Sequence, residues 1–278
     1  MVRNATLEML SHLLTITYKM FVEVAFEQSK GAQIATSASM IPQGNLTWAD
    51  EAMRELQDEI QAAGQTDASV MLTGETGVGK RYAANMIHQL SRRMRAPFVA
   101  INAAAAMTTT PPAESGAADA GVPGFLEAAE DGTLLIQDIE KLPAPAQSQL
   151  IEFMDRTAKG KRPVRLMTST TTHLFKFVES GELRDDLYYR LNMIRLTIPP
   201  LRERRADIPV LFRHYLSHYA GSDVPRISNA ARERLMEYAW PGNIAELTSV
   251  VKTIGASNLP VLIDLEHLPS AVVECQAL

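Results

Sequence analysis

The run Gly74-Glu75-Thr76-Gly77-Val78-Gly79-Lys80 constrains this chain more than any other stretch. It matches G-x-x-x-x-G-K, follows the apolar run Ala68–Thr73 and opens a helical pattern, Arg81–Met94. Glycines let the backbone turn so that consecutive N–H groups face one point, and a helix N-terminus adds a dipole that favours an anion. Lys80 is then placed to set its ammonium on terminal phosphates. Gly74, Glu75, Thr76, Gly77, Val78, Gly79, Lys80 and Arg81 are therefore the candidate nucleotide-binding residues, and ATP is the expected cofactor. The general motif continues with Ser or Thr, whose hydroxyl ligates magnesium; Arg81 stands there instead. Magnesium is expected only as the companion of the nucleotide, and no residue is assigned to it.

Around this motif, apolar runs alternate with helical patterns. Ala68–Thr73, Pro97–Asn102, Thr133–Asp138, Val164–Ser169 and Met193–Ile198 read as strands, with helices such as Arg81–Met94 and Ala144–Arg156 between them. That alternation predicts an α/β unit over 46–201, a parallel sheet flanked by helices. Residues 202–278 read as helices only. Ser228 is placed to cap Asn229–Tyr238, and Asn243 to cap a helix that runs to about Ile254 and stops at Gly255, forming a helical lid.

Residues 1–45 form a third region. Leu7, Leu10, Leu14, Thr17, Phe21 and Val24 recur at heptad-like spacing, and Met9, Leu13, Ile16 and Met20 form a second apolar row. Such a helix either packs on its own domain or serves as a docking or self-association element; Gly31 to Gly44 reads as a linker. Between the second and third strands, 17 of the 21 residues Ala103–Pro123 are Ala, Thr, Pro, Gly or Ser. So little apolar surface predicts a flexible loop.

Charge narrows the function. Acidic residues outnumber basic ones 32 to 27, the reverse of a chain that lives on phosphate-backbone contacts. Arg92-Arg93-Met94-Arg95 and Arg202–Arg205 are accordingly read as exposed helix ends and interface rims. His214 and His218, four apart with no third ligand in view, read as a solvent-facing pair. The 13 methionines are scattered, as core filling would be. The one cysteine, Cys275, allows no intrachain disulfide. The start lacks a signal-peptide layout, and Glu8, Lys19 and Glu23 argue against a membrane span in Leu7–Phe26. A cytoplasmic protein without membrane contact is the expectation.

Further runs add to the phosphate loop: Ile87-His88, Pro97-Phe98-Val99-Ala100-Ile101-Asn102, Gly132-Thr133-Leu134-Leu135, Leu183-Arg184-Asp185-Asp186-Leu187-Tyr188-Tyr189-Arg190-Leu191-Asn192, Pro199-Pro200-Leu201-Arg202-Glu203-Arg204, Asp207-Ile208-Pro209 and Trp240-Pro241-Gly242-Asn243. With these, 46–275 resembles the AAA+ domain of sigma-54-dependent transcriptional activators, the bacterial enhancer-binding proteins. The resemblance implies an AAA+ P-loop fold with a C-terminal lid and assembly into rings with ATP at subunit interfaces. It identifies Arg184 and Arg190 with the family's arginine fingers, which complete a neighbour's site; the alternative is that their segment persists for packing.

The chain also departs from the family. Gln137-Asp138 stands where the resemblance places Asp-Glu, so a neutral amide replaces the carboxylate of the magnesium shell and Asp138 offers the catalytic carboxylate on a shorter stem. Thr171 replaces the γ-phosphate-sensing Asn, and Ala245 the lid Arg. Ala103–Pro123 contains no Gly-Ala-Phe-Thr-Gly-Ala motif, so sigma-54 contact is not expected. No helix-turn-helix follows the lid before Leu278, and direct DNA binding is not expected either. The candidate catalytic set is Gln137, Asp138, Arg184 and Arg190. Three functions fit: an ATP-binding, hydrolysis-impaired regulatory subunit acting with itself, a related AAA+ subunit or another regulatory protein; a working ATPase with a different partner; or a structural protein with a relic loop.

Overall fold

Val70–Thr73 is buried on both sides, and this continuous apolar strand, β1, is the centre of the fold. The computed structural model describes residues 49–104, 122–158, 163–220, 224–256 and 260–274. The N-terminal helix and linker expected within 1–45 lie outside them, as does most of the expected loop Ala103–Pro123. Its last residues do not form a loop, since a helix begins at Val122.

β1 is joined by β2 (Phe98–Asn102), β3 (Thr133–Gln137), β4 (Arg165–Thr170) and β5 (Ile194–Thr197) in the order β2-β3-β4-β1-β5, every pairing parallel. Each strand lies within two residues of its expected run. Parallel neighbours need crossovers, supplied here by helices that cover both faces. On one face pack α1 (Glu51–Gly64) and α2 (Lys80–Gln89); the other face carries α3 (Val122–Ala128), α4 (Ala144–Ala158), α5 (Phe175–Glu179) and α6 (Asp185–Leu191). Alternate residues of β1 serve different cores: Val70 and Leu72 join the first, Met71 the second.

α1 begins where the Asp50 carboxylate accepts from the Ala52 amide at 3.1 Å, and it buries Met53, Leu56, Ile60 and Ala63 along one stripe. Its end is held by Arg165, 1 % exposed, whose Nη2 donates to the Ala63 carbonyl at 2.7 Å. A cation at a helix C-terminus satisfies an orphan carbonyl and complements the dipole. α2 stops at Gln89, five residues short of the expected Met94, and Arg93 turns back to Asp67, the Asp131 carbonyl and the Pro163 carbonyl. This arginine therefore staples loops at one end of the sheet.

The lid comprises α7 (Ile208–Ala220), α8 (Asn229–Glu237), α9 (Asn243–Ala256) and α10 (Ser270–Val273). It is not purely helical: β6 (Arg226–Ile227) pairs in parallel with β7 (Leu262–Ile263). Ser228 caps α8 as expected, accepting from the Ala231 amide at 3.1 Å. Phe212, Leu216, Leu235, Trp240, Leu247 and Val251 belong to the same core cluster as α1, α2 and the near face of the sheet. Lid and α/β unit thus share one apolar interior beside the phosphate loop.

Candidate functional site

The phosphate loop bridges β1 and α2. Gly74, Gly77 and Gly79 have φ of +150°, +80° and +105°, a region closed to most side chains. At Gly77 a Cβ would also collide with the Gly242 carbonyl oxygen of the lid.

Five consecutive carbonyls of this loop accept hydrogen bonds. Lys80 Nζ donates to the Gly74 and Glu75 carbonyls at 2.7 and 2.8 Å. Asn243 Nδ2 donates to Thr76 O at 3.0 Å, the Ile244 amide to Gly77 O at 3.0 Å, and Arg204 Nη2 to Val78 O at 2.8 Å. In a trans peptide the amide hydrogen points opposite to the carbonyl. Tethering the carbonyls therefore fixes the direction of the amides, which is how a backbone nest for an anion is built. Burial lowers the pKa of Lys80 from its ordinary value, while Asp138 and Glu140 act the other way.

Three of those tethers come from the lid side. Asn243, fully buried at φ +53°, does not cap its helix as expected. Its Oδ1 accepts from the Leu201 amide at 2.8 Å, and its Nδ2 also donates to Glu75 Oε2 at 3.1 Å. The amino end of α9 is held instead by Glu246, which accepts from the Gly242 amide at 2.8 Å and the Tyr238 hydroxyl at 2.8 Å. Arg202 makes a two-pronged bond to Glu75 at 2.6 and 2.9 Å. These bonds, Arg202 first and Asn243 second, hold the Glu75 carboxyl down to about 2. Arg204, 1 % exposed, is no rim residue: its guanidinium reaches Val78 O and Met53 Sδ.

Gln137 ends β3, and Asp138 follows at φ +54°, a conformation that Asp tolerates better than most residues. Asp138 Oδ2 accepts from Asn102 Nδ2 at 3.0 Å and from Lys141 Nζ at 3.2 Å. Thr171 is exposed beyond the end of β4, and Ala245 stands against the loop, its Cβ 3.2 Å from where a Gly77 Cβ would lie.

Arg184 and Arg190 belong to a different surface. Arg184 pairs with Asp186 at 3.0 and 2.9 Å, and Arg190 pairs with Asp155 of α4. Neither bonds to the phosphate loop among the described residues. Tyr189 and Met193 beside them are 67 % and 65 % exposed, which gives this face the Arg, Tyr and Met composition enriched at protein interfaces.

A groove of about 450 Å³ lies beside the loop between α1 and β5, bordered by Glu55, Glu59, Glu75 and Glu203. Arg195 also lines it, and Glu75 is already paired with Arg202. His214 is not solvent-facing: its Nε2 is buried, while His218 is exposed 5.0 Å away ring to ring. Among the described residues no three His, Cys, Asp or Glu side chains are grouped to hold a metal ion, and no helix is long and apolar enough to cross a membrane.

The sequence singled out the loop but not its tethers. Asn243, Arg202 and Arg204 stood in the runs that carried the resemblance, with nothing to reveal their bonds to residues more than 120 positions away.

Comparison with known proteins fits this geometry. Residues 46–197 match the Sigma-54 interaction domain and 202–277 the AAA+ ATPase lid domain. The C4-dicarboxylate transport transcriptional regulatory protein DctD of Rhizobium meliloti (strain 1021) is 37 % identical over 222 residues, 73 % of this chain and 48 % of that protein. The sigma54-dependent transcriptional activator SfnR of Pseudomonas putida is 38 % identical over 221 residues, 73 % of this chain and 60 % of that protein. The chain thus spans about half the length of the curated relatives it matches. A crystal structure of NtrX from Brucella abortus in complex with ATP aligns with a TM-score of 0.70 at 25 % identity, over 92 % of this chain and 61 % of that one. These matches, over a β2-β3-β4-β1-β5 sheet whose phosphate loop is clasped by its own lid, show that this chain belongs to the family of AAA+ sigma-54 interaction domains.

Proposed function

We propose that the chain binds ATP at Gly74–Lys80, hydrolyses it poorly, and acts as a regulatory subunit in an assembly with itself or a related AAA+ subunit. The supporting observation is the set of five tethered carbonyls, Gly74 to Val78, which leaves the intervening amides for phosphate oxygens. Poor hydrolysis follows from Gln137, which is neutral, and from Asp138, whose stem is shorter than that of Glu and whose Oδ2 already accepts two hydrogen bonds. A displacement of about 1 Å at a reacting centre lowers the rate about a hundredfold. Assembly would use the face of Arg184, Tyr189, Arg190 and Met193. Sigma-54 itself is not the expected target, because Ala103–Pro123 lacks the contacting motif.

A second reading, a working ATPase, is favoured by one fact: Asp138 keeps a carboxylate one residue beyond β3, electrostatically coupled to Lys80. The deciding experiment measures ATP binding and turnover on one sample with magnesium, across concentrations that permit assembly. Binding lost in Lys80→Ala with little turnover supports the regulatory subunit. Turnover abolished by Asp138→Asn supports the motor. Absence of binding at every concentration overturns both.

A further inference from the structure

Three buried oxygen atoms near the carboxyl ends of β3 and β4 have no hydrogen-bond partner among the described residues: Glu140 Oε2, Ser169 Oγ and Thr168 Oγ1, the last in register with Ile136 and Met71 of the opposite core. Ser169 is 1 % exposed and lies in register with Gln137 on one side and Leu72 on the other. Paired residues of neighbouring strands project to one face, and Leu72 packs with Val78, Ala83 and Ile87. The Ser169 hydroxyl therefore stands on the face that carries the phosphate loop. Glu140 lies in the short 3-10 turn Ile139–Lys141, which packs against β4. Its charge, like that of Asp138, bears on Lys80. A carboxylate oxygen buried without a donor is costly, and in native proteins such atoms call for an ion or a water.

P-loop proteins in general hold magnesium through the hydroxyl after the loop lysine and a carboxylate at the end of a neighbouring strand. Here those positions are Arg81 and Gln137, which provide neither. Magnesium binds through one or two carboxylates together with substrate phosphates and water. Asp138 is partly committed, with its Oδ2 engaged by Asn102 and Lys141. Glu140 and Ser169 offer an anionic and a hydroxyl oxygen without partners. We propose that Glu140 supplies the carboxylate that Gln137 lacks, with Ser169 as the accompanying hydroxyl, so that the nucleotide's divalent cation is held from the turn after β3. This rests on nucleotide binding at Gly74–Lys80.

The test is titration of the full chain with a fluorescent ATP analogue, in magnesium and in EDTA, for wild type, Glu140→Gln and the pair Glu140→Gln with Gln137→Asp. The quantity read is the ratio of the two affinities, together with the magnesium concentration that gives half the gain. Wild type binds more tightly in magnesium. Glu140→Gln raises the half-gain concentration by about 10–100-fold, the scale on which metal sites respond to loss of one supporting group. Adding Gln137→Asp restores it, which separates loss of a ligand from loss of fold. Wild type indifferent to magnesium, or Glu140→Gln with an unchanged magnesium response, overturns the inference and leaves nucleotide binding standing. No binding in either condition overturns both.

Discussion

Arg202 holds Glu75 through two parallel hydrogen bonds, 2.6 Å to Oε1 and 2.9 Å to Oε2, and so joins the start of the lid to the second residue of the phosphate loop. Asn243 adds a third donor to the same carboxylate at 3.1 Å. The lid thus contacts the loop through Glu75, Thr76, Gly77 and Val78, even though Ala245 stands where the family resemblance places a nucleotide-contacting Arg. Lid position and loop shape are therefore mechanically linked in this chain without that Arg.

The Glu75 link is expected to fail in acid. Its folded-state value of about 2 lies below the ordinary 4.5, so the unfolded chain takes up the proton first. The stabilisation is present above about pH 4.5 and is lost as the pH falls toward about 2. Melting temperatures of wild type and Glu75→Gln should differ near neutral pH and converge across that window. Both side chains of the pair are some 40 % exposed, so the difference should be small and should shrink in high salt. A difference that persists undiminished at pH 2 would remove the link.

Asn243 carries more. Asn243→Ala removes the buried bond to the Leu201 amide and the half-buried bond to the Thr76 carbonyl, and a buried group left unpaired costs about 1–3 kcal/mol. Urea unfolding of the variant should show the midpoint lowered at unchanged slope. A loss within about 0.5 kcal/mol, the range of ordinary surface substitutions, would mean that water replaces the clasp.

The contrast between Asn243 and the strands explains what the sequence made legible. The central strands β1, β3 and β4 were readable because burial writes itself into consecutive residues, and the edge strands β2 and β5 because their burial alternates along short runs. β6 and β7 were not, since two residues pairing with two others across 36 positions leave no periodicity. An Asn ahead of a helical pattern reads as a cap from local signals, while its partners here lie 168 and 42 residues away. Arg204 read as a rim charge for the same reason: its acceptor, Val78 O, is a backbone atom with no sequence signature. Glu140 carried no local signal either, because its significance lies in an oxygen left without a partner.

His88 supplies a second pH dependence. It is 4 % exposed, its Nδ1 lies 2.9 Å from Thr133 Oγ1, and its ring packs 5.3 Å from Phe98. Burial lowers its value below the ordinary 6.5. The unfolded chain therefore binds a proton first, and the His88 contribution is complete above about pH 6.5 and declines below it. Wild type should lose stability between pH 7 and 5 by more than His88→Gln does. Equal slopes in calorimetric melts of the two proteins would show that His88 takes up its proton without strain.

Arg184 and Arg190 separate folding from assembly. Both are partly exposed and paired with Asp186 and Asp155 of their own subunit. Exposed ion pairs contribute little to stability, so Arg184→Ala and Arg190→Ala should melt close to wild type. If these guanidiniums complete a neighbour's nucleotide site, each must first leave its carboxylate. Asp186→Asn and Asp155→Asn would then free the arginines and strengthen the effect on a partner subunit. In mixtures with a hydrolysing AAA+ subunit, the Arg→Ala variants should lower turnover by up to about 10³-fold, the lower end of what an arginine finger provides. Should the Arg→Ala variants stimulate or support turnover as well as wild type does, the two arginines serve packing alone. In that case the Asp155 and Asp186 pairs are their function, and Asp155→Asn, which removes the pair joining α4 to α6, should instead loosen α6 from α4.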